Sequence, residues 1–192
     1  MWGLNKISNK STFDFIKKEE KPDKNLSVSV AFSLIKEQKL NYLLQKTSEL
    51  GVNKLIPIET KRCVVKIDCS KEKTKIDRWK KICKEASEQS FRSDIPEISS
   101  ILTLQDLVDL NYDLKLVCSL NKNTKNIKKI LEKNNKCVKI LLVVGPEGGF
   151  DPLEEEYLLK NGFKSVSLGD NVLRAETAPV VALSMINYEF MR

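Results

Sequence analysis

The sequence of 192 residues contains no histidine. This absence removes the commonest general base and the commonest ligand of transition metals. The cysteines are few, odd in number and never in C-x-x-C spacing: Cys63, Cys69, Cys83, Cys118 and Cys137. Without histidine and without paired cysteines, we expect no metal site. We expect the thiols to be reduced, as in a cytoplasmic protein.

Long apolar runs are also absent. The longest, such as residues 140–144, are far shorter than the roughly 20 residues that span a bilayer, and the N-terminus lacks the apolar region of a signal peptide. We therefore expect no contact with a membrane. The apolar share of 41% is nevertheless too high for a disordered chain. The length fits one domain of about 150 residues with a short extension.

Arginine is scarce, with 5 residues among the 33 basic ones. The formal charge of +7 lies wholly in residues 1–100, which hold 21 basic and 14 acidic side chains, whereas residues 101–192 hold 12 of each. A basic half indicates an anionic partner such as nucleic acid. The excess of lysine and asparagine is equally what an A/T-rich genome produces, so charge alone leaves both readings open.

Short β-type runs alternate with amphipathic helical segments from Leu26 onward. We predict strands at 27–35, 54–59, 114–120, 138–145 and 164–168, with a short piece at 96–98. We predict helices at 39–50, 78–90, 103–107, 124–134, 152–161 and 176–191. This alternation predicts an α/β fold with a parallel sheet and helices on both faces. The wholly apolar run 140–144 is typical of a central strand.

Residues 1–25 differ from the rest of the chain in composition. They are polar, and only Phe13, Phe15 and Ile16 could form a short strand. We therefore divide the chain into an extension at 1–25 and a domain at 26–192.

Ligands of open α/β sheets bind at the carboxyl ends of the strands, which directs attention to the loops after Leu120, Val144 and Leu168. The second of these reads GPEGGF, residues 145–150. Its glycines predict a tight turn whose backbone approaches another group closely, although a plain strand-to-helix turn is the alternative. The loop has neither the dinucleotide fingerprint nor the Lys-Ser/Thr of a P-loop. Glu147 would also repel phosphate, which disfavours a nucleotide phosphate site.

The third loop reads SLGDNVLRAETA, residues 167–178. Its small residues Ala175 and Ala178 would let the last helix approach another surface closely. Arg174, Glu176 and Thr177 supply polar groups at the start of that helix. A local Arg174–Glu176 ion pair with Thr177 as a capping residue is the alternative, but two glycine-bearing loops in succession favour a pocket.

These two loops, followed by an apolar helix, resemble the ribosomal RNA uridine-N3 methyltransferases of the SPOUT superfamily. Earlier segments agree. QKTSELGV at 45–52, followed by Ile56-Pro57, resembles the first helix and second strand of that family. Arg78-Trp79 through EASEQS at 85–90, then Arg92 and Pro96, resembles its second helix and the loop that follows. The resemblance runs from about residue 26 to the end of the chain.

The resemblance implies a fold, a cofactor and a reaction. The C-terminal part of the sheet would be threaded as a trefoil knot, and the chain would form a homodimer packed through that region. S-adenosylmethionine (AdoMet) would bind to the three loops without any metal. The enzyme would methylate N3 of a uridine in small-subunit (16S) ribosomal RNA in the cytoplasm.

The resemblance also assigns residues. The cofactor would be held by Leu120, Gly145, Glu147, Gly148, Leu168, Gly169, Leu173, Arg174, Thr177 and Ala178. The candidates for catalysis are Arg174 and Glu176, with Glu147 behind them, because a chain without histidine needs a carboxylate or an arginine-stabilised uridine anion. The candidates for RNA binding are Lys46, Arg62, Arg78 and Arg92.

One feature departs from the family, which carries a complete N-terminal RNA-binding barrel similar to a PUA domain. Only about 25 residues precede the methyltransferase part here, so we expect that barrel to be largely missing. Two alternatives therefore stay open. One is a catalytically impaired RNA- or ribosome-binding module of the same fold, and the other is a methyltransferase that acts on another RNA, such as transfer RNA.

Overall fold

The computed structural model of the chain describes residues 26–121 and 124–190, together with the backbone of two short strands near the N-terminus. These two are β1 (Trp2–Leu4) and β2 (Phe13–Phe15), which pair antiparallel. The sequence predicted a strand around Phe13 but not its partner. The division of the chain at residue 25 stays a prediction.

In the part of the chain that the structure describes, seven further strands form one sheet in which every pairing is parallel. They are β3 (Ser27–Ser33), β4 (Lys54–Ile58), β5 (Glu97–Ile98), β6 (Leu114–Cys118), β7 (Lys125–Asn126), β8 (Lys139–Val144) and β9 (Lys164–Ser167). Their order across the sheet is β5-β4-β3-β8-β6-β9-β7. The central strand is therefore β8, and its residues 140–143 are fully buried, as predicted from its unbroken apolar run.

Six helices within the described ranges cover the sheet on both faces. They are α1 (Glu37–Glu49), α2 (Cys69–Gln89), α3 (Leu104–Val108), α4 (Ile127–Lys133), α5 (Pro152–Lys160) and α6 (Ala178–Phe190). One core cluster joins Ile140 and Leu142 of β8 to α1, α2, α4 and α6. The other joins Leu141 and Val143 to α3 and α5. Alternate residues of one strand thus point to opposite layers, which confirms the predicted α/β architecture.

Helix ends follow the local sequence. At the end of α1, Gly51 adopts a φ of 87°, and the amides of Gly51 and Val52 donate to the carbonyl oxygens of Ser48 and Thr47. This pair of bonds is a Schellman cap, which favours glycine because other residues disfavour positive φ. At α5, Asp151 caps the helix, Pro152 begins it, and Glu154 completes a capping box. Both ends were predicted from the sequence.

The predicted helix starts differ most from the structure at α2 and α4. Helix α2 begins at Cys69, nine residues before the predicted start, because the polar stretch 69–77 offers little apolar periodicity to mark its first turns. The predicted helix at 124–134 begins instead with β7, whose two residues pair with β9. This pairing is a tertiary contact that local sequence does not reveal. Among the described helices, none is long and apolar enough to cross a membrane.

Candidate active site

Three loops meet at the carboxyl ends of neighbouring strands. Strand β6 lies beside β8 on one side and β9 on the other, with Val117 opposite Val143 and Cys118 opposite Val166. The loops that follow β6, β8 and β9 therefore leave the sheet side by side. They begin at residues 119, 145 and 168, and they carry the residues predicted to hold the cofactor.

The loop after β8 is packed tightly onto itself. A Cβ atom added to Gly145 would lie 3.1 Å from both Cδ2 and Cε2 of Phe150, closer than nine in ten real Cβ contacts, so any larger residue here would have to displace that ring. Gly149 has a φ of 66° and donates its amide to the carbonyl oxygen of Pro146. The predicted tight turn is confirmed.

The same loop touches the loop after β6. A Cβ atom added to Gly149 would lie 3.6 Å from Cδ1 of Leu120. Leu120 itself is 65% exposed. Two residues 29 positions apart in sequence are thus brought together around an open surface, as expected if both loops line one pocket.

Two basic side chains from the first half of the chain contact the loop after β8. Lys39 of α1 forms an ion pair with Glu147, with 2.9 Å between Nζ and Oε1. Arg62, just beyond β4, donates from Nη1 to the carbonyl oxygen of Gly148 at 2.9 Å. The contact of Lys39 with this loop was not predicted, because no sequence spacing signals a contact across 108 positions.

The ion pair changes the acidity of Glu147. Partial burial raises the pKa of this carboxyl, but the hydrogen bond from Lys39 and the nearby charge of Lys36 outweigh that effect, so its pKa lies below the ordinary value. A carboxylate with a lowered pKa is a weaker proton acceptor. Glu147 is therefore suited to anchoring its loop rather than to general-base catalysis.

The loop after β9 is shaped by local bonds. The hydroxyl of Ser167 accepts from the amide of Gly169 and donates to its carbonyl oxygen, and Gly169 has a φ of 139°. Leu168 and Leu173 pack against the core. The carbonyl oxygen of Arg174 then accepts from the amides of Thr177 and Ala178, and this turn leads into α6. The helix begins at Ala178 rather than at the predicted residue 176.

The two predicted catalytic residues of this loop lie in different environments. Arg174 is exposed. Glu176 is 8% exposed, and its Oε2 atom has no hydrogen-bond partner among the described residues. The alternative of a local ion pair between them finds no support, since none joins them within the described part of the chain. A buried carboxylate oxygen without a donor is costly and calls for an explanation.

Each of the four predicted RNA contacts is engaged with other groups of the protein. Lys46 pairs with Glu49 of its own helix at 2.8 Å, and Arg78 of α2 pairs with Glu37 of α1. Arg62 holds the carbonyl oxygen of Gly148, as described above.

Arg92 has a structural role that the sequence reading missed. Its guanidinium donates to the carbonyl oxygens of Ser48 and Val52 at 2.6 and 2.9 Å, and pairs with Asp94. The side chain is only 9% exposed. This residue therefore joins the loop after α2 to the end of α1, and its role in RNA binding stays a prediction.

A cavity of about 460 Å³ lies beside the loop after β8. Its lining comes from the segment after β4 and the first turns of α3 and α5, and includes Thr60, Lys61, Cys63, Lys66, Gln105 and Tyr157. The amide of Lys61 donates to Glu154 at 2.7 Å, and Lys61 Nζ lies 3.4 Å from Asp151. The segment 60–62 therefore lines the cavity through Thr60 and Lys61 and contacts the GPEGGF loop through Arg62.

Comparison with known proteins identifies relatives of this arrangement. A family model described as an RNA methyltransferase domain matches residues 22–187. Ribosomal RNA small subunit methyltransferase E of Bacillus subtilis is 38% identical over 170 residues, which cover 85% of this chain and 66% of that protein. The same-named protein of Mesomycoplasma hyopneumoniae is 35% identical over 159 residues, covering 82% and 67%. The chain thus spans about two thirds of the length of these relatives.

Solved structures agree with the sequence comparison. A methyltransferase from Legionella pneumophila in complex with the bound cofactor SAM is 32% identical with a TM-score of 0.84, covering 97% of this chain and 77% of that one. The ribosomal RNA small subunit methyltransferase E of Neisseria gonorrhoeae, bound to S-adenosyl methionine, is 30% identical with a TM-score of 0.77, covering 85% and 66%. The fold, the loops and these matches together place the chain in the RNA methyltransferase domain family, among the ribosomal RNA small subunit methyltransferases E.

Proposed function

We propose that the chain is an AdoMet-dependent methyltransferase that modifies N3 of a uridine in small-subunit ribosomal RNA. The observation that carries this proposal is the meeting of the three carboxyl-end loops, with Leu120 against Gly149, in a member of this family. Two structural relatives, from Legionella and Neisseria, were solved with the same cofactor.

The residues of the loops fit such a cofactor. At Gly148 an added Cβ would make only an ordinary contact, with Arg62 Cδ at 3.6 Å. The backbone of Gly148, with that of Gly145 and Gly169, can present amide and carbonyl groups to the edge of an adenine. Leu120, Leu168, Leu173 and Ala178 provide apolar surface, and Thr177 is half-buried beside them. AdoMet would supply an electrophilic methyl group, so the protein need supply only alignment and a route for the proton.

Two residues of the loop after β9 are our candidates for accepting the proton of the substrate and for stabilising its negative charge. Uridine must lose its N3 proton before it can accept a methyl group. The unpartnered Oε2 of Glu176 is our candidate for accepting that proton. The exposed guanidinium of Arg174 is our candidate for stabilising the anionic base. We assign Glu147 to holding its loop through Lys39.

We further propose that the chain works as a cytoplasmic homodimer whose knotted C-terminal region forms the interface. Helix α6 supports this arrangement. It carries only one charged residue, Glu189, and it leaves Tyr188 80% exposed and Met185 36% exposed. Apolar and aromatic side chains on a helix with little charge are typical of a surface that a partner covers.

A methyl-transfer assay tests the proposal. The chain is incubated with AdoMet labelled in its methyl group and small-subunit ribosomal RNA that lacks the modification. We expect label in the RNA with the native chain and with the control Lys160→Ala, which changes an exposed residue on α5. We expect transfer to fall about 100-fold with Arg174→Ala, the scale of losing one group that stabilises developing charge.

The two alternatives have distinct outcomes in this assay. AdoMet binding without transfer to any RNA would favour the catalytically impaired binding module. Transfer to transfer RNA but not to ribosomal RNA would favour the other methyltransferase reading.

A further inference from the structure

The neutral second half of the chain contains a strongly basic segment. Residues 121–139 hold seven lysines and one glutamate, whereas the remainder of 101–192 holds five basic and eleven acidic residues. Positive charge is therefore concentrated in 19 residues of a half whose total is zero. The net charge of residues 101–192 as a whole therefore does not reveal this basic segment.

Lysines of the described part of this segment face outward near the edge strand β7. Helix α4 buries Ile127, Ile130 and Leu131, and these residues belong to the same core cluster as α6. Its remaining positions face solvent. Exposed lysines extend from β7 through α4 to the turn beyond it: Lys125, Lys128, Lys129, Lys133 and Lys136. We call these five residues the α4 lysine ridge.

The charge of the ridge is not neutralised by acidic neighbours. Among the described residues, the one ion pair that a ridge lysine forms joins Lys128 to Glu132, at 3.8 Å. In residues 26–100, by contrast, nine basic side chains are paired with acidic ones, including Lys46, Arg78 and Arg92. Much of the positive charge in residues 26–100 is thus held in ion pairs, two of which reach Glu147 and Asp151 of the second half, whereas four of the five ridge lysines form no ion pair with a described residue.

The ridge also lies beside the candidate active site. Its first residue, Lys125, lies in β7, which follows the loop after β6 and pairs with the end of β9 from which the third loop leaves. Helix α4 packs against α6, which begins where the loop after β9 ends. Two of the three cofactor loops therefore run directly into the elements that carry or support the ridge.

We infer that the α4 lysine ridge is an RNA-binding surface that holds the phosphate backbone of the substrate alongside the cofactor loops. This inference rests on the proposed function and deepens it. A lysine ammonium is a compact point charge suited to phosphate contacts without sequence preference. The ridge thus supplies affinity and position, while the loops supply the chemistry.

The test compares two triple variants with the same change in charge. Lys129→Gln, Lys133→Gln and Lys136→Gln remove three ridge charges. Lys71→Gln, Lys73→Gln and Lys160→Gln remove three exposed charges from α2 and α5. Affinity for a small-subunit ribosomal RNA fragment is measured over a range of salt concentrations, with AdoMet affinity and thermal unfolding measured in parallel.

For the ridge variant we expect RNA affinity at low salt to fall at least tenfold relative to the control variant. We expect the slope of log affinity against log salt to decrease by about 2, the value for three lost phosphate contacts on single-stranded RNA. AdoMet affinity and the unfolding temperature should match those of the control. Replacing the same three lysines by arginine should retain RNA binding, because the charge is kept.

Equal RNA affinity and equal salt slope in the two triple variants would overturn the inference. Loss of binding to polyaspartate with RNA binding unchanged would assign the ridge to an acidic protein and would also overturn it. These outcomes are independent of methyl transfer. A chain that binds RNA through the ridge but transfers no methyl group would contradict the proposed function and leave this inference standing.

Discussion

Arg62 donates a hydrogen bond from Nη1 to the carbonyl oxygen of Gly148 at 2.9 Å, across 86 positions of sequence. The bond ties the segment after β4 to the loop after the central strand. On the other side of the loop, Lys39 holds Glu147. The first half of the chain therefore helps to shape the candidate cofactor loop, and removing either contact should affect a ligand held there.

The change Arg62→Ala should weaken AdoMet binding about three- to tenfold. This range is the modest net value of one partly exposed hydrogen bond from a charged donor. Isothermal titration calorimetry measures it, with Lys61→Ala as the matched loss of a neighbouring exposed cation. If AdoMet affinity stays unchanged while RNA affinity falls, Arg62 acts as an RNA contact and not as an anchor of the loop.

The change Gly145→Ala should destabilise the fold by about 1–3 kcal/mol, because its Cβ would meet the ring of Phe150 at 3.1 Å. Gly148→Ala is the matched control, since its Cβ would meet Arg62 at the ordinary distance of 3.6 Å. We expect the control to keep its stability within about 0.5 kcal/mol and to lose affinity for AdoMet. Urea unfolding separates the two effects. Equal stability of both variants would contradict the packing argument.

The change Glu176→Gln should leave the free energy of unfolding within about 1 kcal/mol of the native value. The gain from neutralising a buried carboxylate whose Oε2 has no donor offsets the loss of a negative charge near the start of α6. Methyl transfer should nevertheless fall at least 100-fold if this carboxylate accepts the proton. Single-turnover kinetics and thermal unfolding are measured on the same preparation. A variant that keeps full activity would remove Glu176 from the mechanism.

Asp113 should make stability depend on pH. Its carboxylate accepts hydrogen bonds from the backbone amides of Val138 and Lys139, which lower its pKa below the ordinary 3.8. A lowered folded pKa stabilises the protein above the unfolded value, and that contribution disappears as the pH falls through the folded value.

The difference in unfolding free energy between the native chain and Asp113→Ala should therefore be largest near neutral pH and shrink below about pH 4. Urea unfolding at a series of pH values measures it. The neighbouring change Asn111→Ala, which removes no titrating group, should show a difference that does not vary with pH. The same flat profile for Asp113→Ala would contradict the assigned hydrogen bonds.

Much of the fold could be predicted from sequence because its signals are local. The unbroken apolar run of β8, the glycine after α1 and the Asp-Pro start of α5 each indicate their structure within a few residues. The two-residue strand β7 could not be predicted, because it forms through its pairing with β9. The first turns of α2 could not be predicted either, because they depend on contacts with other elements.

The candidate site likewise contains some features that the sequence predicts and others that it does not. The glycine-bearing loops were visible in the sequence as motifs. Their anchors Lys39 and Arg62, the structural role of Arg92 and the uncompensated charge of the ridge depend on contacts between distant residues, and no local pattern reports such contacts. A formal count of charges also cannot distinguish paired lysines from unpaired ones.

The most direct test of the proposed function is to map the product on the RNA. Small-subunit ribosomal RNA that lacks the modification is incubated with the chain and AdoMet, digested, and analysed by mass spectrometry against standards of methylated uridines. We predict N3-methyluridine at a single position. Methyl groups on C5 or on the ribose, or no methylated uridine from a preparation that binds AdoMet and RNA, would contradict it.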